Sequence, residues 1–134
     1  MAVLADLGTF MAANVTDTTL TVGTNLFLGR MPDSPDTCVA IYETAGQAPV
    51  DVFGADSAPP IEAAGVMCHT RAVAYSDCQA LAVDIMKTLS KVINESLSGT
   101  AYYKVEPTQS PFAFERDDQD RMLFSCNFTA VKAL

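Results

Sequence analysis

The only histidine of the chain, His69, follows Cys68, and a nucleophile with its base would be sought here first. A Cys–His dyad needs both side chains within hydrogen-bonding reach of each other. Residues 61 to 74 read as one strand, and consecutive strand residues point to opposite faces of a sheet. The neighbouring pair therefore cannot form a dyad, although the approach of another cysteine to His69 through the fold stays open. We predict no catalytic residue.

A second chemical possibility is a calcium loop in the acidic run between Glu115 and Asp120. A calcium loop of the EF-hand type has a glycine at its sixth position and a bidentate glutamate at its end, and this run has neither. Arg116 and Arg121 also compete for the carboxylates. The run predicts a solvated turn and no metal site.

The cofactor motifs that rest on glycine or cysteine are missing from the sequence. The seven glycines are dispersed and form no phosphate-binding loop. No two cysteines have metal-ligand spacing, and each cysteine stands in an apolar context. We expect free, buried thiols at all four, no cofactor and no enzyme activity. The cysteines are Cys38, Cys68, Cys78 and Cys126.

Sixteen acids against eight Lys and Arg give the chain a formal net charge of −8. The cations are scattered, whereas tight binding to nucleic acid uses clustered cations that release phosphate counterions. Specific nucleic-acid binding is therefore disfavoured, and packing explains the aromatic pairs Tyr102–Tyr103 and Phe112/Phe114 better than base stacking does.

No apolar run approaches the roughly 18 to 20 residues that cross a bilayer, and the first ten residues carry no basic region. We expect a soluble protein of the cytoplasm in which it is made, with no membrane partner.

The hydrophobic pattern predicts two helices. The first covers Val3 to Met11, with Asn14 placed to close it. The second begins near Ser76, which forms a capping-box pattern with Gln79, and its apolar stripe continues to Ile93.

Extended segments account for most of the remaining chain. The stretch LFLGRMPDSPDTCVAIYE predicts a hairpin around a proline-bracketed acidic turn, and residues 45–60 indicate an irregular connection. The other predicted strands are 61–74, 101–106 and 121–131. The order α, β, β, β, α, β, β predicts one α+β domain, residues 1–134, with a mostly antiparallel (mixed) sheet on which an N-terminal helix and one long helix pack.

Three ordered blocks of the sequence resemble phage proteins often labelled minor capsid proteins, which are similar to tail terminators or tail-completion proteins. The blocks are LFLGRMPDSPDTCVAIYETAG, HTRAVAYSDCQALAVDIMKTL and QSPFAFERDDQDRMLFSCNFTAV. Together they span roughly residues 3 to 131, while the segment from Val50 to Glu62 matches no part of the pattern. The resemblance implies an α+β fold like that of tail terminators.

The resemblance also implies a structural virion protein of a tailed phage, assembled as a six-fold ring at the head-proximal end of the tail. Such a ring stops polymerisation of the tail tube and joins the tail to the head connector. Its partners are sister copies, the tube protein and the connector or stopper, and genomic DNA passes through the lumen without specific binding. From the net charge we add the hypothesis that acidic walls repel the passing DNA. The implied location is the tail or neck of the virion, after assembly in the host cytoplasm.

Two predicted turns supply the expected contacts with sister copies, tube and connector. These residues are Arg30, Asp33, Ser34, Asp36, Gln109, Ser110, Arg116 and Asp117. The alternative is that the prolines only shape the turns and that the charged side chains only keep these turns exposed to water. Two other functions also stay open: a head-side neck or head-completion protein acting as stopper or adaptor, and, from a different class, a monomeric binding module or small hydrolase.

Overall fold

A computed structural model gives the fold of residues 2–49 and 60–134. Two helices and seven strands in these residues confirm the predicted α+β class. In chain order they are α1 (Ala2–Asn14), β1 (Leu26–Leu28), β2 (Cys38–Thr44), β3 (Ile61–Ala72), α2 (Tyr75–Leu89), β4 (Ile93–Leu97), β5 (Thr100–Pro107), β6 (Phe112–Arg116) and β7 (Met122–Ala133). Most of the connection predicted at 45–60 lies outside the described residues.

The seven strands form one mixed sheet in the order β1-β2-β3-β7-β5-β4, with β6 also beside β7. Its centre is the antiparallel pair of the two longest strands, β3 and β7, which stay in register from Ile61 opposite Ala133 to Ala72 opposite Met122. Strands β5 and β6 lie one after the other along the same edge of β7. Pro111 stands in the break between β5 and β6. A proline has no main-chain N–H to donate to a neighbouring strand, and a break between strands tolerates this lack.

Both helices pack on the same face of the sheet and bury the core there. Alternate residues of β3, from Ala64 to Ala72, point to that face and are buried. The helices contribute Leu4, Leu7 and Met11 from α1 and Leu81, Ile85 and Leu89 from α2. Neither described helix is long and apolar enough to cross a membrane. In the described residues the opposite face, which carries His69, has no helix layer.

The hairpin predicted at residues 26–43 is wrong, because β1 and β2 lie side by side in parallel. Residues 29–37 must therefore carry the chain back along the strand, as a crossover over one face of the sheet. They cross the face without helices, since Arg71 on that face donates to the carbonyls of Pro35 and Asp36. The prolines that suggested a tight turn instead shape this crossover.

Helix α2 begins and ends earlier than predicted. Its N-cap is Ala74 and no side chain caps it, so the predicted capping box of Ser76 and Gln79 does not form. The helix ends at Leu89, whereas Ile93 begins strand β4 and is exposed. The apolar stripe continues past the helix end because the chain re-enters the core before β4.

The sequence pattern predicts neither β4 nor β6. Both are exposed along almost their whole length, so they lack the alternation that identifies a half-buried strand. Strand β4 is joined to β5 by Ser98 and Gly99, which both have positive φ. A two-residue hairpin turn of type I′ needs this conformation at both positions, and it fits the twist of the flanking strands.

A buried hydrogen bond ties α1 to the sheet. The hydroxyl of Tyr102, a fully buried residue of β5, donates to Asp6 Oδ2 at 2.7 Å. Burial raises the pKa of Tyr102 above its ordinary value, and the bond to Asp6 raises it further. Lys132 Nζ lies 5.9 Å from the centre of the tyrosine ring and brings a positive charge to the same region.

The Tyr102→Phe variant is expected to lose about 1 to 3 kcal/mol of unfolding free energy, because Asp6 then keeps a buried carboxylate without its donor. Urea denaturation followed by far-UV circular dichroism measures the loss. Tyr103→Phe is the matched control, since Tyr103 is exposed and its change is expected within about 0.5 kcal/mol. Equal losses in the two variants would contradict this role of the Tyr102 hydroxyl.

Candidate assembly surface

Two buried arginines organise the end of the sheet where β3 finishes and β7 begins. Arg71, near the end of β3, and Arg121, just before β7, are 4% and 3% exposed. A buried guanidinium is stable only when its donors find acceptors. Both arginines find theirs in residues 33–36 of the crossover, and Arg121 finds a further one in the turn that precedes β7.

Arg121 contacts three aspartates, and we call these four residues the Arg121 cluster. Its Nε donates to Asp117 Oδ2 at 2.8 Å. Its Nη1 lies 3.2 Å from Asp36 Oδ1, and its Nη2 lies 3.7 Å from Asp33 Oδ1. Nη1 also donates to the main-chain carbonyl of Asp33. One side chain thus joins two loops that are far apart in sequence.

Asp117 also builds the turn before β7. Its Oδ1 accepts the main-chain N–H groups of Gln119 at 3.0 Å and Arg121 at 2.9 Å. The main-chain bond from Arg121, together with the bond from its side chain, holds the pKa of Asp117 below its ordinary value. Arg116 closes the turn from outside by donating to the Asp120 carbonyl at 2.9 Å. The prediction that Arg116 and Arg121 engage these acids is confirmed.

Arg71 holds the crossover from the neighbouring strand. Its Nη2 donates to the Pro35 carbonyl at 2.7 Å, and its Nε donates to the Asp36 carbonyl at 3.2 Å. The main chain of residues 33–36 is therefore fixed on the sheet, while Ser34 stays exposed at its tip.

The structure brings together four of the eight predicted contact residues: Asp33, Ser34, Asp36 and Asp117. Arg116 lies at the end of β6, next to the same turn. Gln109 and Ser110 lie apart from them, at the break between β5 and β6, where the Gln109 carbonyl accepts the Cys126 thiol at 3.4 Å. Arg30 is exposed at the start of the crossover and forms no salt bridge with any described residue.

The two organising arginines are not among the predicted contact residues. Alternation along β3 places Arg71 on a strand face, and nothing in the sequence marks that residue as a loop anchor. For Arg121 a signal existed, because it stands four residues after Asp117 at the end of a turn rich in acids. A cation in that position is suited to bind the carboxylates around it.

The face of the sheet without helices carries a group of rings that we call the aromatic face: Tyr42, His69, Phe112 and Phe114. The His69 ring centre lies 5.3 Å from that of Tyr42 and 4.8 Å from that of Phe114. Burial lowers the pKa of His69 below its ordinary 6.5, although the charge of Glu115 acts in the opposite direction. Cys68 lies in the core on the other face, which confirms that the neighbouring pair forms no dyad.

All four cysteines are free and buried, as predicted. Burial raises the pKa of each thiol, to about 11 for Cys126. The thiols therefore stay protonated at pH 7, and protonated, buried thiols react slowly. Within residues 2–49 and 60–134, no group of His, Cys, Asp and Glu side chains is arranged to hold a metal ion.

Known proteins share both the sequence pattern and the fold of this chain. Residues 5–134 match the family described as "Bacteriophage tail terminator protein". A solved chain from "Virion of native gene transfer agent (GTA) particle" has the same fold, with a TM-score of 0.60 and 14% identity, over 84% of this chain and 81% of that one. No curated protein sequence matches. The chain therefore belongs to the bacteriophage tail terminator family and is a structural protein of a phage tail.

Proposed function

We propose that this protein terminates the tail: six copies close into a ring on the head-proximal end of the tail tube, stop its polymerisation and then bind the connector of the filled head. The family match over residues 5–134 is the observation that carries the proposal. The chain acts as one domain, residues 1–134, and works through its surfaces without making or breaking a bond. It is assembled in the host cytoplasm and remains in the neck of the virion.

The Arg121 cluster supports a docking role. Ordering a loop or side chain on binding costs free energy, about 0.5 to 1.5 kcal/mol for each flexible side chain. Arg71 and Arg121 fix residues 33–36 before any partner arrives. The side chains of Asp33 and Asp36 nevertheless remain 90% and 64% exposed, so they are available to a partner.

The proposed contacts with tube, connector and sister copies form two groups. The first surrounds the Arg121 cluster, and the second lies at the break between β5 and β6. The groups are Arg30, Asp33, Ser34, Asp36, Arg116 and Asp117, and then Gln109 and Ser110. The net charge of −8 supports the passage of genomic DNA through the ring without specific binding, because negative walls repel phosphate.

Electron microscopy of lysates from a phage that lacks the gene tests this function. A terminator is expected to leave overlong tails, and a plasmid copy of the gene should restore normal length. Detached tails of normal length would instead indicate a head-side joining protein, a stopper or adaptor. Intact tailed particles would exclude both roles.

A further inference from the structure

We propose that neighbouring copies in the ring contact each other through the aromatic face of one copy and the outward side of α2 in the next. The Arg121 cluster is then left free for the tube or the connector. This proposal rests on the proposed ring and names the surfaces that build it.

The aromatic face offers apolar surface at an open sheet edge. Phe112 and Phe114 are 45% and 37% exposed, and β6 is exposed at all five positions. Exposed aromatic groups of this kind mark interaction sites. His69 supports Phe114 from within the sheet, so this ring is held in place before binding.

The outward side of α2 carries a shallow, open depression, which we call the α2 groove. Its lining is Ser76, Gln79, Ala80, Val83, Asp84 and Lys87. The small side chains of Ala80 and Val83 leave room for aromatic rings.

Each surface carries a charged residue that can pair with one on the other surface. Glu115 lies beside His69 on the aromatic face, while Lys87 lines the α2 groove and Lys91 follows it. Asp84, the acid in the groove, is already bound by the main-chain N–H groups of residues 16 and 17. Glu115, Lys87 and Lys91 form no salt bridge within the described part of the chain. Copies with a net charge of −8 repel each other, so a contact between them requires that opposite charges meet.

The two surfaces also have the geometry that a ring needs. The α2 groove belongs to the helix layer, whereas the aromatic face lies on the other side of the sheet. A contact between two different surfaces on opposite sides of a subunit is heterologous and repeats head to tail, and it forms a ring when the rotation between copies closes. A two-fold dimer would instead use the same surface twice. The occupant we propose for both surfaces is therefore a second copy of this chain.

Cysteine crosslinking in purified tails tests this contact. The native thiols are buried, so an introduced surface cysteine is the reactive one. With a short bismaleimide, the double variant Phe112→Cys/Val83→Cys is expected to give a ladder of oligomers, whereas an equimolar mixture of the two single variants is expected to stop at dimers. Each single variant alone should stay monomeric.

Two outcomes of the crosslinking would overturn the proposal. Dimers from Phe112→Cys alone would show a two-fold contact. Monomers from the double variant, in tails of normal length, would show that the ring is built through other surfaces. In that second case the proposed terminator function would still stand.

Charge reversal gives an independent test that does not depend on the cysteine variants assembling. Lys87→Glu and Glu115→Lys are each expected to produce overlong tails, and the variant that carries both is expected to restore normal length. Glu95→Lys, which reverses the charge of an exposed acid on β4 outside both surfaces, is the control and should leave tail length unchanged. Overlong tails from the folded double variant would overturn the pairing of these surfaces.

Discussion

Phe128→Ala is expected to lower the free energy of unfolding by about 3 to 5 kcal/mol, because it removes a large ring from a fully packed site. Phe128 is 2% exposed and lies on the central strand β7, between Val66 of β3 and Pro107 of β5. A domain has only about 5 to 15 kcal/mol of stability in total. The variant is therefore expected to be close to unfolding at physiological temperature.

Urea denaturation followed by far-UV circular dichroism measures this loss, since the chain contains no tryptophan to report by fluorescence. Phe112→Ala is the matched control, because it removes the same ring from an exposed strand. Its free energy of unfolding is expected to change by about 0.5 kcal/mol or less. Comparable losses in both variants would contradict the placement of Phe128 in the core and Phe112 at the surface.

Arg121→Met is expected to abolish tail termination in a protein that remains folded. The substitution keeps the length of the side chain but leaves Asp33, Asp36 and Asp117 without the cation that joins their loops. Residues 33–36 then keep only the anchor from Arg71. Amide hydrogen exchange in the crossover and in the turn before β7 is expected to accelerate by about tenfold or more, because local opening becomes easier.

Hydrogen exchange with Arg116→Met provides the comparison. Arg116 pairs with Asp120 at the surface, and such pairs contribute little. Exchange of residues 33–36 should therefore stay as in the unchanged protein. An Arg121→Met protein with unchanged exchange and tails of normal length would show that the cluster does not organise the docking surface.

The regular core elements could be predicted because each carries a periodic signal. In α1, Leu4, Leu7 and Met11 recur at helical spacing, and all three are buried. The alternation along β3 follows from its position at the centre of the sheet, with helices on one face only. These signals are local, so a single sequence contains them.

The parallel pairing of β1 and β2 could not be predicted, because it depends on contacts distant in sequence. Arg71 and Arg121 hold residues 33–36 against the sheet, and neither arginine is near the crossover in the chain. The exposed strands β4 and β6 have no buried face and thus no pattern to detect. Their positions follow from the edges that the longer strands offer.

The predicted contact residues also show the difference between local sequence signals and contacts that depend on the tertiary structure. Proline and acidic residues marked both turns, and Asp33 and Asp117 were named there as contact residues, which stays a prediction. Both turns contact the same buried guanidinium, that of Arg121. This contact depends on the tertiary structure and cannot be predicted from the sequence. The sequence carries no motif that names a function, so family resemblance had to supply it.

A reconstruction of the virion neck tests the central claim most directly. The account predicts six copies of this fold in a closed ring at the head-proximal end of the tail tube, with residues 33–36 against the tube or the connector. A neck in which the last ring of the tube meets the connector with no copy of this chain between them would contradict it.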